Sequence, residues 1–291
     1  MNKHFDIAII GGDKRQVYLA DHLKKSGYEV VTVGLPNLGS HNSFIQMDSM
    51  KEAMESSKYI LAPVPMTRGK NCITAMDVDT KLQIDEFCDY LQPEHFLMGG
   101  NITSDVKQYC TQRQIEYYDF MEDSDIAYRN AIATAEGTIA EAIIRSTGNL
   151  YQCNGLVLGY GRCAKVLAMK LKALDMKVTI GARKQKDRTE AEVFGYQSIS
   201  LIELKENIQK YEYIFNTIPD LILDKEILYH VSEDTVIIDI ASAPGGIDYE
   251  AATLLRLNAH LYLGIPGKVA PKASAKILAD AVMLIVKERS D

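Results

Sequence analysis

Short apolar runs alternate with longer amphipathic stretches, twice over, and this rhythm constrains the fold more than any other feature of the chain. The first cycle reads as strand Phe5–Ile10, helix Lys14–Ser26 and strand Glu29–Val33. It continues with strands Tyr59–Ala62, His95–Met98 and Ile115–Tyr117, and with helices over Asp77–Tyr90 and Thr103–Gln112. The second cycle opens with strand Gly155–Leu158 and helix Arg162–Leu174. Strands Lys177–Ile180, Tyr213–Phe215, Val236–Ile240 and His260–Leu263 follow. Strands that alternate with helices specify parallel sheets covered on both faces.

Between the cycles, Ser124–Ser146 holds Ala127, Ala131, Ala133, Ala135, Ala140 and Ala142 and no proline. It predicts one long interdomain helix, capped by Asp123, Ser124 or Asp125. The last helix, Lys272–Glu288, is expected to return to the first domain. The fold class is therefore α/β, with two doubly wound parallel-sheet domains. The first covers residues 1–128 plus the C-terminal helix 272–291, and the second covers residues 129–271. At 291 residues, 47% of them hydrophobic, both can bury a core.

Composition removes several function classes. A net charge of −7 with dispersed Lys and Arg argues against a nucleic-acid partner. No apolar run approaches the roughly 20 residues of a membrane span, and the N-terminus lacks the shape of a signal peptide. Cys72, Cys88, Cys110, Cys153 and Cys163 form no CxxC pair. That spacing predicts no metal site and no disulfide framework, and a reduced cytoplasmic setting.

Chemistry concentrates at Gly159-Tyr160-Gly161-Arg162-Cys163-Ala164, where a strand turns directly into a helix. Gly159 permits the tight turn, Gly161 allows the backbone to approach a pyrophosphate, and Ala164 lets helix and strand pack closely. Helix-start N–H groups then attract the phosphates. This Rossmann-like pattern predicts a nicotinamide dinucleotide. The next strand ends in Arg183-Lys184, with Lys186 and Arg188 behind, where an NAD site usually places Asp or Glu. Guanidinium pairs with a 2′-phosphate that a carboxylate would repel, which favours NADP while NAD remains open. In the first domain, Gly11-Gly12-Asp13 also runs from strand into helix but lacks the second spaced glycine; it reads as a tight βα turn with Asp13 capping the helix, with nucleotide binding as the competing reading.

Ligands of open α/β sheets sit beyond the carboxyl ends of strands. Asn216-Thr217-Ile218-Pro219 is expected along the adenosine and ribose side. The Asp239–Gly246 loop, with Ala241, Ser242 and Pro244, is expected to reach the nicotinamide. Gly264–Lys272 reads as a loop whose Lys268 suits a substrate carboxylate. Thr67, Arg68, Asn101 and Thr103 follow first-domain strands and could orient a substrate across the cleft; ordinary turns are the competing reading.

Taken together, Asn130–Gly137, Gly159–Arg162, Asn216–Pro219, Asp239–Gly246, Pro266–Pro271 and the opening Gly-Gly-Asp-x-Arg resemble the dipicolinate synthase A-subunit family over essentially the whole chain. The resemblance implies an architecture similar to D-2-hydroxyacid dehydrogenases and adenosylhomocysteinase. It implies oxidation of a dihydrodipicolinate-type lysine-pathway product to pyridine-2,6-dicarboxylate with NADP reduced, in the mother-cell cytoplasm of a sporulating bacterium. A flavoprotein-like B subunit is the implied partner, and such folds commonly form homo-oligomers. Lys268 and Arg68 would neutralise the two carboxylates of this small dicarboxylate substrate. The hydroxyacid dehydrogenases carry a catalytic His near the last strand; this chain has Pro266-Gly267-Lys268 there, and none of its six histidines sits in a matching loop. Two other readings stay open: a dehydrogenase of a small hydroxy acid, and a non-catalytic nucleotide-binding subunit.

Overall fold

Two sheets, each of six parallel strands, organise the computed structural model, which describes residues 4–39, 44–67, 69, 71–76 and 81–289. The chain divides into a unit of Met1–Arg129 with Ala270–Asp291 and a unit of Asn130–Val269.

The first sheet holds β1 (Phe5–Ile10), β2 (Val30–Val33), β3 (Ile45–Gln46), β4 (Ser57–Leu61), β5 (Phe96–Gly99) and β6 (Glu116–Asp119) in the order β3-β2-β1-β4-β5-β6. Its helices are α1 (Lys14–Lys25), α2 (Met50–Glu55), α3 (Ile84–Tyr90), α4 (Ser104–Gln112) and the start of α5 (Ser124–Arg145). The second sheet holds β7 (Asn154–Leu158), β8 (Lys177–Ala182), β9 (Gln197–Ser200), β10 (Tyr213–Asn216), β11 (Val236–Asp239) and β12 (Asn258–Leu261) in the order β12-β11-β10-β7-β8-β9. Around it lie α6 (Arg162–Ala173), α7 (Gln185–Val193), α8 (Leu204–Asn207), α9 (Lys225–Leu228), α10 (Tyr249–Leu254) and α11 (Ile265–Val269). Both orders are the doubly wound arrangement, whose direction of winding reverses between β1 and β4 and between β7 and β10.

Central strands are apolar because helices cover both of their faces: β2, β10 and β11 are buried at every position. Each sheet thus carries one hydrophobic cluster on either side. The final helix, α12 (Pro271–Glu288), belongs to the first unit. Proline is tolerated at its first position because no N–H is needed there. Ala275, Leu278, Ala279, Val282 and Val286 form one stripe and join Val17, Ala20 and Leu23 of α1 in the core. Asp123 caps α5, accepting from Asp125 N at 2.7 Å and Ile126 N at 3.1 Å.

Four expectations change. Of the helix predicted over Asp77–Tyr90, residues 77–80 lie outside the described residues, and α3 begins only at Ile84. Gln83 first makes a β-bridge to Cys72, which holds the chain extended. The strand predicted over His260–Leu263 lies two residues earlier, because β11 pairs from Val236↔Asn258 to Asp239↔Leu261. The segment from Gly264 contains a helix over Ile265–Val269, with Pro266 in its first turn, where its missing N–H costs nothing. The edge strands β3 and β9 and the helices α2 and α7–α10 are absent from the sequence reading; short or half-exposed elements leave little apolar periodicity.

Candidate functional site

In the second unit, the strand-to-helix turn after β7 is held open by glycine. Gly159 has φ +99°, and a Cβ there would lie 2.4 Å from Thr217 Oγ1. Its N–H donates to Gly181 O at 2.8 Å. Gly161 is the N-cap of α6 and brings no capping side chain, and a Cβ on it would meet nothing within 4 Å. The first turn of α6 contains no acidic residue, and Ala164 is fully buried against the sheet. An oxygen-rich anion therefore meets the positive end of a helix dipole without a resident carboxylate in the way. This turn fits a diphosphate. Tyr160 is buried, with Lys165 Nζ 4.8 Å from its ring centroid. Arg162 and Cys163 are half-buried at the start of α6. Burial raises the Cys163 thiol's pKa, which disfavours the thiolate.

Past β8, Arg183 and Lys184 are exposed, and α7 starts at Gln185. Arg188 differs from the other cations expected at this turn. Its Nη1 donates to Ala182 O at 2.7 Å and Arg183 O at 2.9 Å, and its Nη2 donates to Gln185 Oε1 at 2.6 Å. Arg188 therefore shapes the turn that presents Arg183. Arg183 Nη2 stands 3.8 Å from Asp220 Oδ2, with both side chains in solvent.

The loops after β10 and β11 are built on one buried carboxylate. Asp239 Oδ1 accepts from Asn216 Nδ2 at 2.9 Å and Ala241 N at 2.9 Å; Oδ2 accepts from Gly246 N at 2.7 Å and the Tyr249 hydroxyl at 2.9 Å. Burial and the adjacent carboxylate raise the Tyr249 phenol's pKa, so it remains a donor. Asn216 and Ala241, expected to line the cofactor, are buried and committed to this network. The Asn216 side chain also donates to Ile218 O at 3.0 Å and accepts from Ile218 N at 3.1 Å. Thr217 N and Oγ1 both donate to Leu158 O, at 3.0 and 2.8 Å. Among the loop residues expected to line the cofactor, Pro219, Ser242 and Pro244 are at the surface, and Thr217 and Ile218 are half-buried. A lone Asp ending an apolar strand before Ala-Ser-Ala-Pro-Gly-Gly is the signal that could have revealed the anchor, because an acceptor-only side chain there collects turn amides.

Lys268 is exposed on α11. The helix lies close to α5 because position 137 is glycine: a Cβ on Gly137 would sit 2.3 Å from Ile265 Cγ2 and 2.9 Å from Val269 Cγ2.

The corresponding turn of the first unit is closed. Gly11 has φ +69°, and a Cβ there would be 2.7 Å from Thr74 O. Met76 N donates to Gly12 O at 2.9 Å, so the chain's own residues 73–76 press onto the turn. Asp13 and Gln16 complete a capping box on α1, and the buried Asp13 carboxylate also holds Arg15 Nη2 at 2.7 Å. The helix start already carries its anion. Asp119 plays the anchoring part here, accepting from Asn101 N and Ile102 N, each at 2.9 Å, from Met121 N at 3.0 Å and from Lys107 Nζ at 2.9 Å. It holds the exposed Asn101 in a left-handed conformation, φ 51°. Thr103 caps α4, its Oγ1 accepting from Val106 N at 3.4 Å. Thr67 is half-buried, and Arg68 lies outside the described residues. A cavity of about 370 Å³ between α3 and α4 is lined by Asp85, Asp89 and Asp105, a charge that suits no dicarboxylate.

Residues 6–121 match the family described as the N-terminal domain of the dipicolinate synthase A subunit, and residues 152–239 match the acetohydroxy acid isomeroreductase NADPH-binding domain. The A subunit of dipicolinate synthase from Bacillus subtilis is 29% identical over 286 residues, 97% of this chain and 96% of that protein. The crystal structure of the Bacillus halodurans counterpart superposes with a TM-score of 0.84 at 28% identity, over 98% of each chain. The crystal structure of the Bacillus subtilis protein superposes with a TM-score of 0.84 at 28% identity, over 99% of this chain and 97% of that one.

Proposed function

Because the chain belongs to the dipicolinate synthase A-subunit family, we propose that it is an NADP-dependent oxidoreductase that converts a dihydrodipicolinate-type intermediate into pyridine-2,6-dicarboxylate. The observation that carries the reading is the acid-free helix start at Gly161, with two exposed cations past the neighbouring strand. The match of residues 152–239 to an NADPH-binding domain supports the same cofactor.

In this proposal the amides around residues 159–164 bind the diphosphate. Arg183 and Lys184 pair with the 2′-phosphate. Pro219 and Ile218 line the ribose side, and Ser242 and Pro244 line the nicotinamide side, on loops that Asp239 keeps rigid. When bound, the nicotinamide ring supplies the hydride acceptor. Loss of a hydride and a proton aromatises the dihydropyridine ring, which drives the reaction forward. The protein's remaining task is to orient the ring and neutralise two carboxylates. Lys268 and Arg68 are the proposed carboxylate partners, with Asn101 and Thr103 as orienting groups. A flavoprotein-like B subunit is the proposed partner, the mother-cell cytoplasm the proposed setting, and a homo-oligomer the proposed state. No described helix is long and apolar enough to cross a membrane.

The test supplies the purified protein with freshly made dihydrodipicolinate synthase product and NADP, with and without the flavoprotein-like partner. Growth of pyridine dicarboxylate absorbance together with NADPH is the expected result. Turnover of simple 2-hydroxy acids instead, or tight NADP binding with no turnover in either mixture, would replace this reading with one of its two rivals.

A further inference from the structure

The end of β8 carries no carboxylate between Gly181 and Lys186, but one approaches from the loop after β10, the strand on the far side of β7. Asp220 follows β10, and its Oδ2 lies 3.8 Å from Arg183 Nη2, with the two side chains 68% and 77% exposed. Neither partner is loosely placed at its main chain. Arg188 grips the carbonyls of Ala182 and Arg183. The backbone of Asp220 lies against Gly246, where a Cβ would be 2.6 Å from both Asp220 O and Ile218 O. Ile222 N and Leu223 N donate to Gly246 O at 2.9 and 3.0 Å, closing that contact. The β10 and β11 loops thus hold a carboxylate opposite the guanidinium that the second unit offers beyond β8.

We propose that Asp220 is a specificity-determining residue that competes with the 2′-phosphate for Arg183 and so lowers the chain's preference for NADP over NAD. The proposal rests on the placement of the dinucleotide in the second unit given above. At 3.8 Å the pair lacks a close charge-assisted hydrogen bond, and solvent screens it. A phosphate, carrying more charge and three acceptor oxygens, displaces the carboxylate but must do so against its repulsion. A cofactor with a free 2′-hydroxyl has no such contest and leaves the pair intact. Arg183 and Asp220 then work as opposed settings of one selector, the first drawing the phosphate in and the second resisting its entry.

The experiment measures dissociation constants by titration calorimetry, with 2′,5′-ADP and 5′-AMP as probes of the adenosine end and with NADP and NAD as whole cofactors. Asp220→Asn is expected to tighten 2′,5′-ADP and NADP by about threefold to tenfold, the size of one partly screened charge pair, and to leave 5′-AMP and NAD within about twofold. In an Arg183→Gln background the gain should shrink. Equal changes for both kinds of cofactor, no change for NADP, or a gain undiminished without Arg183 would each overturn the competition. A wild-type protein that takes up neither cofactor would overturn the placement of the site as well, so the two failures read differently.

Discussion

The two units share a strand order and open with the same local event, a strand breaking at glycine into a helix, yet their first turns are used in opposite ways. After β1, the positive-φ glycines let the protein's own chain approach: Thr74 O and Met76 N meet the turn, and Asp13 supplies the anion that α1 attracts. After β7, Gly159 is likewise closely approached, by Thr217 Oγ1, but the second glycine leaves room: nothing stands within 4 Å of the missing Cβ of Gly161, and α6 begins without a capping side chain or an acidic residue. A helix start is an anion site only while its own sequence has not filled it. Two glycines in a turn therefore do not distinguish a ligand cradle from a closed corner; the residue at the N-cap does.

The largest effects come from putting side chains on these glycines. Gly161→Val is expected to fold normally, with stability within about 0.5 kcal/mol, because φ −80° is open to valine and a Cβ there meets nothing within 4 Å. Binding of NADP and NAD should both fall on the order of a hundredfold, from lost amide contacts to the diphosphate. Gly11→Val should do the reverse. Strain at φ +69° and the contact with Thr74 O should cost on the order of 2–4 kcal/mol in urea unfolding, while cofactor affinity of the folded fraction is kept. If Gly11→Val abolished binding and Gly161→Val did not, the roles of the two turns would have to be exchanged.

A smaller effect sharpens the chemistry of the open turn. Arg183→Asp should weaken NADP by about tenfold to a hundredfold and NAD far less, as measured by fluorescence titration. Equal losses would remove the 2′-phosphate from this turn.

The smallest effect belongs to the closed unit. Arg289 makes a two-pronged ion pair with Glu116, which ties the end of α12 to β6 and holds the Glu116 carboxyl below its ordinary pKa. A lowered folded-state pKa gives stability that is present above the ordinary Glu value and lost as pH falls through the lowered one. Arg289→Gln should therefore flatten a shallow acid-side decline in the urea midpoint, at no cost to NADP affinity. A decline of unchanged slope would mean that the pair contributes nothing in solution.

Reading the chain residue by residue reaches what is local. The strands β1, β7, β10 and β11 are legible because a run of buried apolar residues needs no knowledge of its partner, and α5 because alanines recur without a breaker. The Gly159–Ala164 turn is legible because its strand, glycines and helix are contiguous. Asn216 shows the limit: from the sequence it is an exposed loop amide, but in the fold it lies beneath the loop, bonded to Asp239 from a strand 23 residues away. Arg188 reads as one more surface cation, and only the bend between β8 and α7 turns its guanidinium onto two carbonyls. Gly137 reads as an ordinary helix residue until α11 is laid across it.

By itself, then, the sequence determined the α/β class, the doubled strand–helix cycle and the position of the glycine-capped helix start at Gly161, since each depends on periodicity or on neighbours within a few residues. Tertiary structure decided which polar groups remain at the surface and which are buried as anchors, and it set Asp220 across from Arg183. Those outcomes depend on which strand ends become neighbours in a sheet, a relation between residues distant in sequence that hydrogen-bond geometry and steric fit resolve only once the sheets have formed.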